Sequence, residues 1–140
     1  MKRLFEFLNP KIDIRDLDDH AVIGLDLDGT LISGKHHKDI EEWLKHTHAR
    51  VHIITFRHHI NDKLGEYLQG FKAVKEIHTL PRKIPEFSPD YLKWKGKVCK
   101  KIDATLLIDD DIAAVEKGCK KYGIQLYDAK HWLKYQKKKK

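Results

Sequence analysis

Carboxylates follow two apolar stretches of this chain directly, and their spacing is suited to phosphoryl-transfer chemistry. The stretch AVIGLDLDGTL reaches Asp26 and Asp28 and then a glycine, which is a strong turn signal. The stretch ATLLIDDD runs into Asp109 and Asp110. Carboxylates in one pocket repel and raise each other's pKa values unless a cation neutralises them. All-oxygen ligation favours Mg²⁺, which keeps several waters and shares a substrate phosphate.

Two further kinds of side chain would complete such a site. Thr55 closes the apolar stretch RVHIIT, and its hydroxyl could bind a phosphate oxygen together with neighbouring backbone N–H groups. A lysine among Lys93, Lys95 and Lys97 could offset the charge of a carboxylate nucleophile and of the phosphoryl group. In that chemistry one carboxylate is the nucleophile, while a second protonates the leaving oxygen and later deprotonates water.

The elements that must position these residues alternate along the chain. We expect strands at 21–26, 50–55, 74–78, 104–108 and 124–127. We expect helices at 38–48, 59–70, 89–102 and 112–121, with a short last helix. This alternation predicts an α/β fold of three layers, α/β/α and Rossmann-like, around a parallel sheet of about five strands. The carboxyl ends of parallel strands share one edge, so we expect Asp26, Thr55 and Asp109 to converge there.

Length and composition indicate one soluble domain. The 140 residues are 41% hydrophobic and 35% charged, and we assign residues 1–136 to a single phosphatase-like domain with a lead-in segment at 1–20 that includes a short helix. No apolar run approaches the roughly 18 residues of a membrane span, so no membrane partner is predicted. The apolar patch at the start is interrupted too early for a signal peptide, which makes the cytoplasm the expected location. Cys99 and Cys119 fit no metal or redox spacing and are predicted to be reduced, packed thiols.

Among the features of the composition, only the net charge indicates a partner. The chain carries +7, of which four charges belong to the terminal Lys137 to Lys140. We interpret residues 137–140 as a solvated, disordered tail. The alternative is salt-sensitive attraction to nucleic acid or another polyanion.

The histidines give no metal pattern in the sequence. Ten are present, but they form no H-E-x-x-H motif and no zinc-ligand pattern with cysteine. We interpret them as polar residues scattered over the protein surface. Four of them follow motif strands and could rim the pocket, namely His36, His37, His58 and His59.

Taken together, the motifs resemble those of the haloacid dehalogenase superfamily of phosphohydrolases, from about Val22 to Tyr127. DLDGTL is similar to the first motif of that family almost letter for letter, IITFR to the second and LLIDDD to the fourth. The resemblance implies that Asp26 is the nucleophile and Asp28 the acid/base. Its third motif is a lysine, for which the spacing favours Lys95, with Lys97 as the alternative.

The same resemblance implies a Mg²⁺ site and a set of phosphate contacts. The metal ligands would be Asp26, the backbone carbonyl of Asp28, and Asp109 and Asp110, without a distinction as to which of the last pair binds directly. The gaps after the first strand and after the third are too short for a cap domain, so a capless form is implied. Substrate would be bound by residues of the first two motifs, namely Gly29, Thr30, Thr55, Phe56 and Arg57.

The sequence therefore predicts a Mg²⁺-dependent phosphomonoester hydrolase that acts through an aspartyl-phosphate on Asp26. Its phosphorylated substrate could be a nucleotide or a nucleic-acid end. The alternative is a non-catalytic or regulatory domain of the same fold that binds a polyanion such as nucleic acid through its lysines. An accessory domain that acts only within a complex also stays open, and the oligomeric state is not indicated.

Overall fold

A computed structural model of the chain describes Leu17 and residues 21–132. Within these residues five strands form one all-parallel sheet, in the order β3-β2-β1-β4-β5. The strands are β1 (Val22–Leu25), β2 (Arg50–Thr55), β3 (Val74–Thr79), β4 (Leu106–Asp109) and β5 (Gln125–Asp128). The helices between them are α1 (His37–His46), α2 (Asp62–Gln69), α3 (Pro89–Lys101) and α4 (Ile112–Tyr122), and a 3₁₀ turn at Ala129–His131 follows β5. The predicted three-layer α/β/α fold with a five-stranded parallel sheet is confirmed.

The core has two halves, one on each face of the sheet. On one face, Ile40 and Leu44 of α1 and Leu68 of α2 pack against Ile23 and Ile53 of the sheet. On the other face, the buried side chains of α3 and α4 pack against the alternate sheet positions, and include Tyr91, Trp94, Cys99, Val115 and Cys119. Both cysteines are buried thiols, as the sequence predicts.

Most differences from the predicted elements lie at their ends, and the structure adds one short helical turn at Leu27–Leu31. α2 begins at Asp62 rather than at residue 59, because the side chain of Asn61 accepts a hydrogen bond from the Leu64 N–H and starts the helix there. The lysine tail lies outside the described residues, and so does the lead-in segment apart from Leu17, which is buried. Among the helices of the described ranges, none has the length and apolar character needed to cross a membrane.

Two glycines bring α3 and α4 into backbone contact. A Cβ on Gly96 would lie 2.3 Å from the carbonyl carbon of Gly118, and a Cβ on Gly118 would lie 2.7 Å from the carbonyl oxygen of Lys93. Both distances are far below any real Cβ contact, so only glycine allows the helices to approach this closely. The contact sits one residue from Lys95 and thereby fixes where that side chain enters the molecule.

We therefore predict that Gly96→Ala destabilises the fold by about 1–3 kcal/mol, because the new methyl group must push two helix backbones apart. Gly65→Ala is the matched control, since the nearest atom to its new Cβ would be Ile60 Cγ2 at 3.8 Å. That variant should gain up to about 1 kcal/mol from helix propensity. Urea denaturation of both variants measures the difference, and equal midpoints would contradict the inferred close packing.

Candidate active site

Three neighbouring strands bring polar side chains to the carboxyl edge of the sheet. Asp26 follows β1 and stays paired to the sheet, since its backbone N–H donates to the Ile108 carbonyl at 2.9 Å. Asp109 ends β4 and Thr55 ends β2. All three side chains are buried, with exposed fractions of 5% for Asp26 and 1% for each of the other two. The structure thus brings these predicted residues together at one edge.

Lys95 reaches this edge from the middle of α3. Its ammonium group donates to Asp26 Oδ1 at 2.7 Å and to Asp109 Oδ2 at 2.8 Å, and the residue is only 2% exposed. Of the alternative lysines, Lys97 is exposed and lies two positions further along the helix. Lys95 is therefore the lysine that the fold places among the carboxylates.

Burial controls the proton equilibria of this cluster. Loss of solvation raises the pKa of Asp26 well above its ordinary value, and the charge of Asp109 adds to that rise, while Lys95 opposes it. Burial alone would lower the pKa of Lys95, but the two carboxylates outweigh burial and raise it. Lys95 is consequently a permanent ammonium ion at neutral pH. A further cation would favour the ionised form of Asp26.

The turn after β1 contacts a third carboxylate, that of Asp110, which follows β4. The Thr30 hydroxyl lies 3.1 Å from Asp26 Oδ2 and 3.2 Å from Asp110 Oδ1. Gly29 has a φ of +81° and passes so close to Asp110 that a Cβ would lie 2.6 Å from its Oδ2. Only glycine satisfies both constraints, so the Asp-Gly pair is required by the site as well as by the turn.

Carboxylate oxygens of Asp26, Asp109 and Asp110 lie within 4.8 Å of one another. Among the described residues, Lys95 is the one ammonium paired with this group of three acids. The negative charges therefore exceed the positive ones, and oxygen is the ligand type that Mg²⁺ prefers. The three side chains fit the predicted divalent cation in chemistry and in spacing.

Asp28 lies at the same edge but pairs with a different partner. Arg57 donates from Nε to Asp28 Oδ2 and from Nη2 to Asp28 Oδ1, both at 2.8 Å. This two-pronged pair is half-exposed. Hydrogen bonding by Arg57 holds the pKa of Asp28 below its ordinary value. The Asp28 carboxylate is thus ionised and lies apart from the three clustered acids.

One wall of the site is aromatic. The Lys95 ammonium lies 4.4 Å from the centroid of the Phe56 ring, which stacks on Tyr91 at 4.1 Å. The Thr55 hydroxyl accepts a hydrogen bond from the Arg57 N–H at 3.1 Å. Sequence reasoning missed Tyr91, although its position four residues before Lys95 places both on one face of α3.

A cavity of about 210 Å³ collects these groups. A larger one, of about 520 Å³, lies along α2 and β3, contains none of the carboxylates and includes His58 and His59 in its lining. We regard the smaller cavity as the site because the charged groups converge on it. In the described part of the chain, none of the four histidines expected at the rim lines the smaller cavity. The residues that line it are Asp26, Asp28, Thr55, Phe56, Lys95, Asp109, Asp110 and Asp111.

Comparison with known proteins adds no assignment. Neither a family model, nor a curated protein, nor a solved structure matches this chain. The chemistry of the site therefore has to be argued from its own geometry. A buried carboxylate beside an ammonium, two further acids and a half-exposed acid–arginine pair are groups of the kind that phosphoryl transfer through a carboxylate nucleophile requires.

We predict that Lys95→Met lowers the free energy of unfolding by about 3–5 kcal/mol at neutral pH, because it leaves Asp26 and Asp109 buried without a counter-charge. The loss should shrink as the pH falls. Lys95 opposes the rise in the pKa of Asp26, so without Lys95 that pKa rises further. The folded variant then takes up a proton on Asp26 at a higher pH than the folded wild type does, and this protonation removes the uncompensated charge and favours folding.

Urea denaturation at neutral and at mildly acidic pH measures this effect. Lys97→Met removes a charge from an exposed position on the same helix and should change stability little. A loss for Lys95→Met that is the same at both pH values would contradict the assigned electrostatic cause.

Proposed function

We propose that this protein is a phosphomonoester hydrolase of the haloacid dehalogenase type, dependent on Mg²⁺ and acting through an aspartyl-phosphate on Asp26. The observation that carries the proposal is the Lys95 ammonium held between Asp26 and Asp109, with Asp110 in reach of the same cluster. A buried lysine that neutralises part of an excess of carboxylates suits a site that receives a charged phosphate. The sequence motifs support the same reaction class.

The reaction divides into two displacements at phosphorus. In the first, an oxygen of the Asp26 carboxylate attacks the phosphorus and the bond to the substrate oxygen breaks, while Asp28, which has first taken up a proton from solvent, gives that proton to the leaving oxygen. In the second, Asp28 takes a proton from water as the water oxygen attacks the phosphorus, and the bond to Asp26 breaks. Free phosphate leaves, Asp26 is again a carboxylate and Asp28 again carries a proton.

Charge stabilisation would come from groups already at the edge of the sheet. Lys95 offsets the charge on Asp26 and on the phosphoryl oxygens, while the Thr55 hydroxyl and backbone N–H groups of the two loops donate to those oxygens. Asp26, Asp109, Asp110 and the Asp28 carbonyl would hold Mg²⁺, which supplies charge neutralisation at the transferring group. A cation in this position would also offset the charge of Asp109, which adds to the rise that burial causes in the pKa of Asp26.

The pair between Asp28 and Arg57 suggests how substrate binding prepares the site. Asp28 must turn toward the leaving oxygen, yet here both of its oxygens accept from Arg57. A substrate phosphate is an equally good partner for the guanidinium group. Arg57 would therefore exchange Asp28 for the substrate, and the freed carboxyl would act on the leaving group.

The absence of a cap and the positive net charge of the chain support the substrate class that we propose. Residues 32–36 connect the turn after β1 to α1, and residues 80–88 connect β3 to α3, so neither segment holds a cap. An open site without a cap can receive the end of a large molecule. With a net charge of +7, nucleotides or nucleic-acid ends are the substrates that we propose.

Asp26→Asn should abolish Mg²⁺-dependent hydrolysis of an aryl phosphate without unfolding the protein, because an amide cannot form the acyl phosphate. Asp103→Asn is the matched control. Asp103 is exposed and lies outside the cavity, and its φ of 61° is one that asparagine adopts as readily as aspartate. Turnover assays on both variants, with intact-mass detection of a phosphate adduct in the wild type after acid quench, test the assignment.

Substantial turnover by Asp26→Asn would overturn the nucleophile assignment. If the folded wild-type protein hydrolyses neither aryl phosphate, nucleotides nor 5′-phosphorylated oligonucleotides, the phosphatase proposal fails. Salt-dependent binding of the oligonucleotide without turnover would then favour the polyanion-binding domain.

Arg57→Ala should shift the basic limb of the activity profile to higher pH. Arg57 lowers the pKa of Asp28, so its removal lets that pKa rise toward the ordinary value, and Asp28 must carry a proton to give one to the leaving oxygen. The pH dependence of kcat/KM measures the shift, with Arg82→Ala at an exposed loop position as the control. An increase in KM with an unmoved basic limb would show that Arg57 contacts substrate alone.

A further inference from the structure

A second group of potential ligands lies on the sheet away from the carboxylate cluster. His52 on β2 lies beside Glu76 and His78 on β3, and one ligand atom from each of the three falls within 4.8 Å of the others. His52 precedes Thr55 by three residues, which is about 10 Å along the strand. The group is thus separate from the proposed phosphatase site.

An irregularity in strand pairing creates this group. Val51 pairs with Val74, but the next residue, His52, pairs with Glu76, so Lys75 is an extra residue in β3. Without it, Lys75 would stand opposite His52 and Glu76 would point to the other face of the sheet. The inserted residue therefore places Glu76 and His78 on the same face of the sheet as His52.

The distances match those between ligands of a tetrahedral metal ion. His52 Nδ1 lies 3.0 Å from His78 Nε2 and 3.3 Å from Glu76 Oε1, and the last two atoms are 3.6 Å apart. Ligand atoms about 2.0–2.1 Å from a tetrahedral zinc ion lie about 3.3 Å from each other. The three measured separations bracket this value.

The surroundings also suit a metal ion. The exposed fractions of the side chains are 12% for His52, 23% for His78 and 63% for Glu76, so the imidazoles are sheltered while water can reach an open fourth position. Burial lowers the pKa of both histidines, and the proximity of His78 further lowers that of His52. Neutral imidazoles offer the lone pairs that a metal requires.

We propose that His52, Glu76 and His78 form a zinc-binding site that ties the edge strand β3 to β2. Two imidazole nitrogens and one carboxylate oxygen are a common protein ligand set for Zn²⁺. The three ligands come from two strands, so the ion would cross-link them at the irregular pair. This site is independent of the phosphatase chemistry and does not require it.

Isothermal titration of the full chain with Zn²⁺ tests the proposal, with excess Mg²⁺ present to occupy the carboxylate cluster. We expect one zinc ion to bind at this site. His52→Ala and Glu76→Gln should each weaken that binding more than about tenfold. The control is His46→Ala, which removes an exposed histidine that pairs with Glu42 at 2.8 Å. This variant should bind like the wild type. Zinc should raise the midpoint of thermal unfolding of the wild type and of His46→Ala only.

Equal zinc affinity in the wild type and in Glu76→Gln would overturn the proposal, and so would the absence of binding to the wild type. The two rings would then be a hydrogen-bonded pair within the sheet. Glu76 is mostly exposed, so Glu76→Gln should fold even if His52→Ala does not. Co²⁺ titration provides a second readout, since its visible absorption reports a tetrahedral site with nitrogen ligands. Loss of phosphatase activity plays no part in either measurement.

Discussion

The burial of Lys95 between Asp26 and Asp109 is the constraint on which the rest of the molecule depends. An ammonium ion loses several kcal/mol of solvation in such a place and persists only when its partners are held in contact. Those partners stand after β1 and at the end of β4, while the lysine stands on α3. One ion-pair cluster therefore fixes α3 against two central strands, and the backbone contact at Gly96 holds the same helix against α4.

The same cluster couples stability to the proposed function. Three acids share one ammonium group, so the cluster carries more negative charge than Lys95 neutralises. Burial of Asp26 and the charge of Asp109 beside it both oppose folding at neutral pH, as the raised pKa of Asp26 indicates. The excess negative charge is also what would attract a divalent cation. A site of this kind is expected to be less stable when empty than when its charge is balanced, because ligand binding adds to the free energy of unfolding.

Local signals explain what the sequence could predict. Apolar runs and the Asp-Gly turn each involve adjacent residues, so the order of strands and helices and the shared edge of Asp26, Thr55 and Asp109 followed from them. The pairing of Asp28 with Arg57 and the stacking of Phe56 on Tyr91 join different elements. They depend on side-chain directions that no local pattern specifies. The group around His52 depends on an extra residue in β3, which alternation alone does not reveal.

The position of that extra residue is itself constrained by the active-site edge. Side chains alternate along β2, so His52 points to the α3 face while Thr55 belongs to the opposite set. An insertion within β2 between these two residues would turn Thr55 to the wrong face and remove it from the carboxylate cavity. β3 is an edge strand whose residues contribute nothing to that cavity. The irregularity is therefore tolerated in β3, where it can aim Glu76 and His78 at His52 while Thr55 keeps its place.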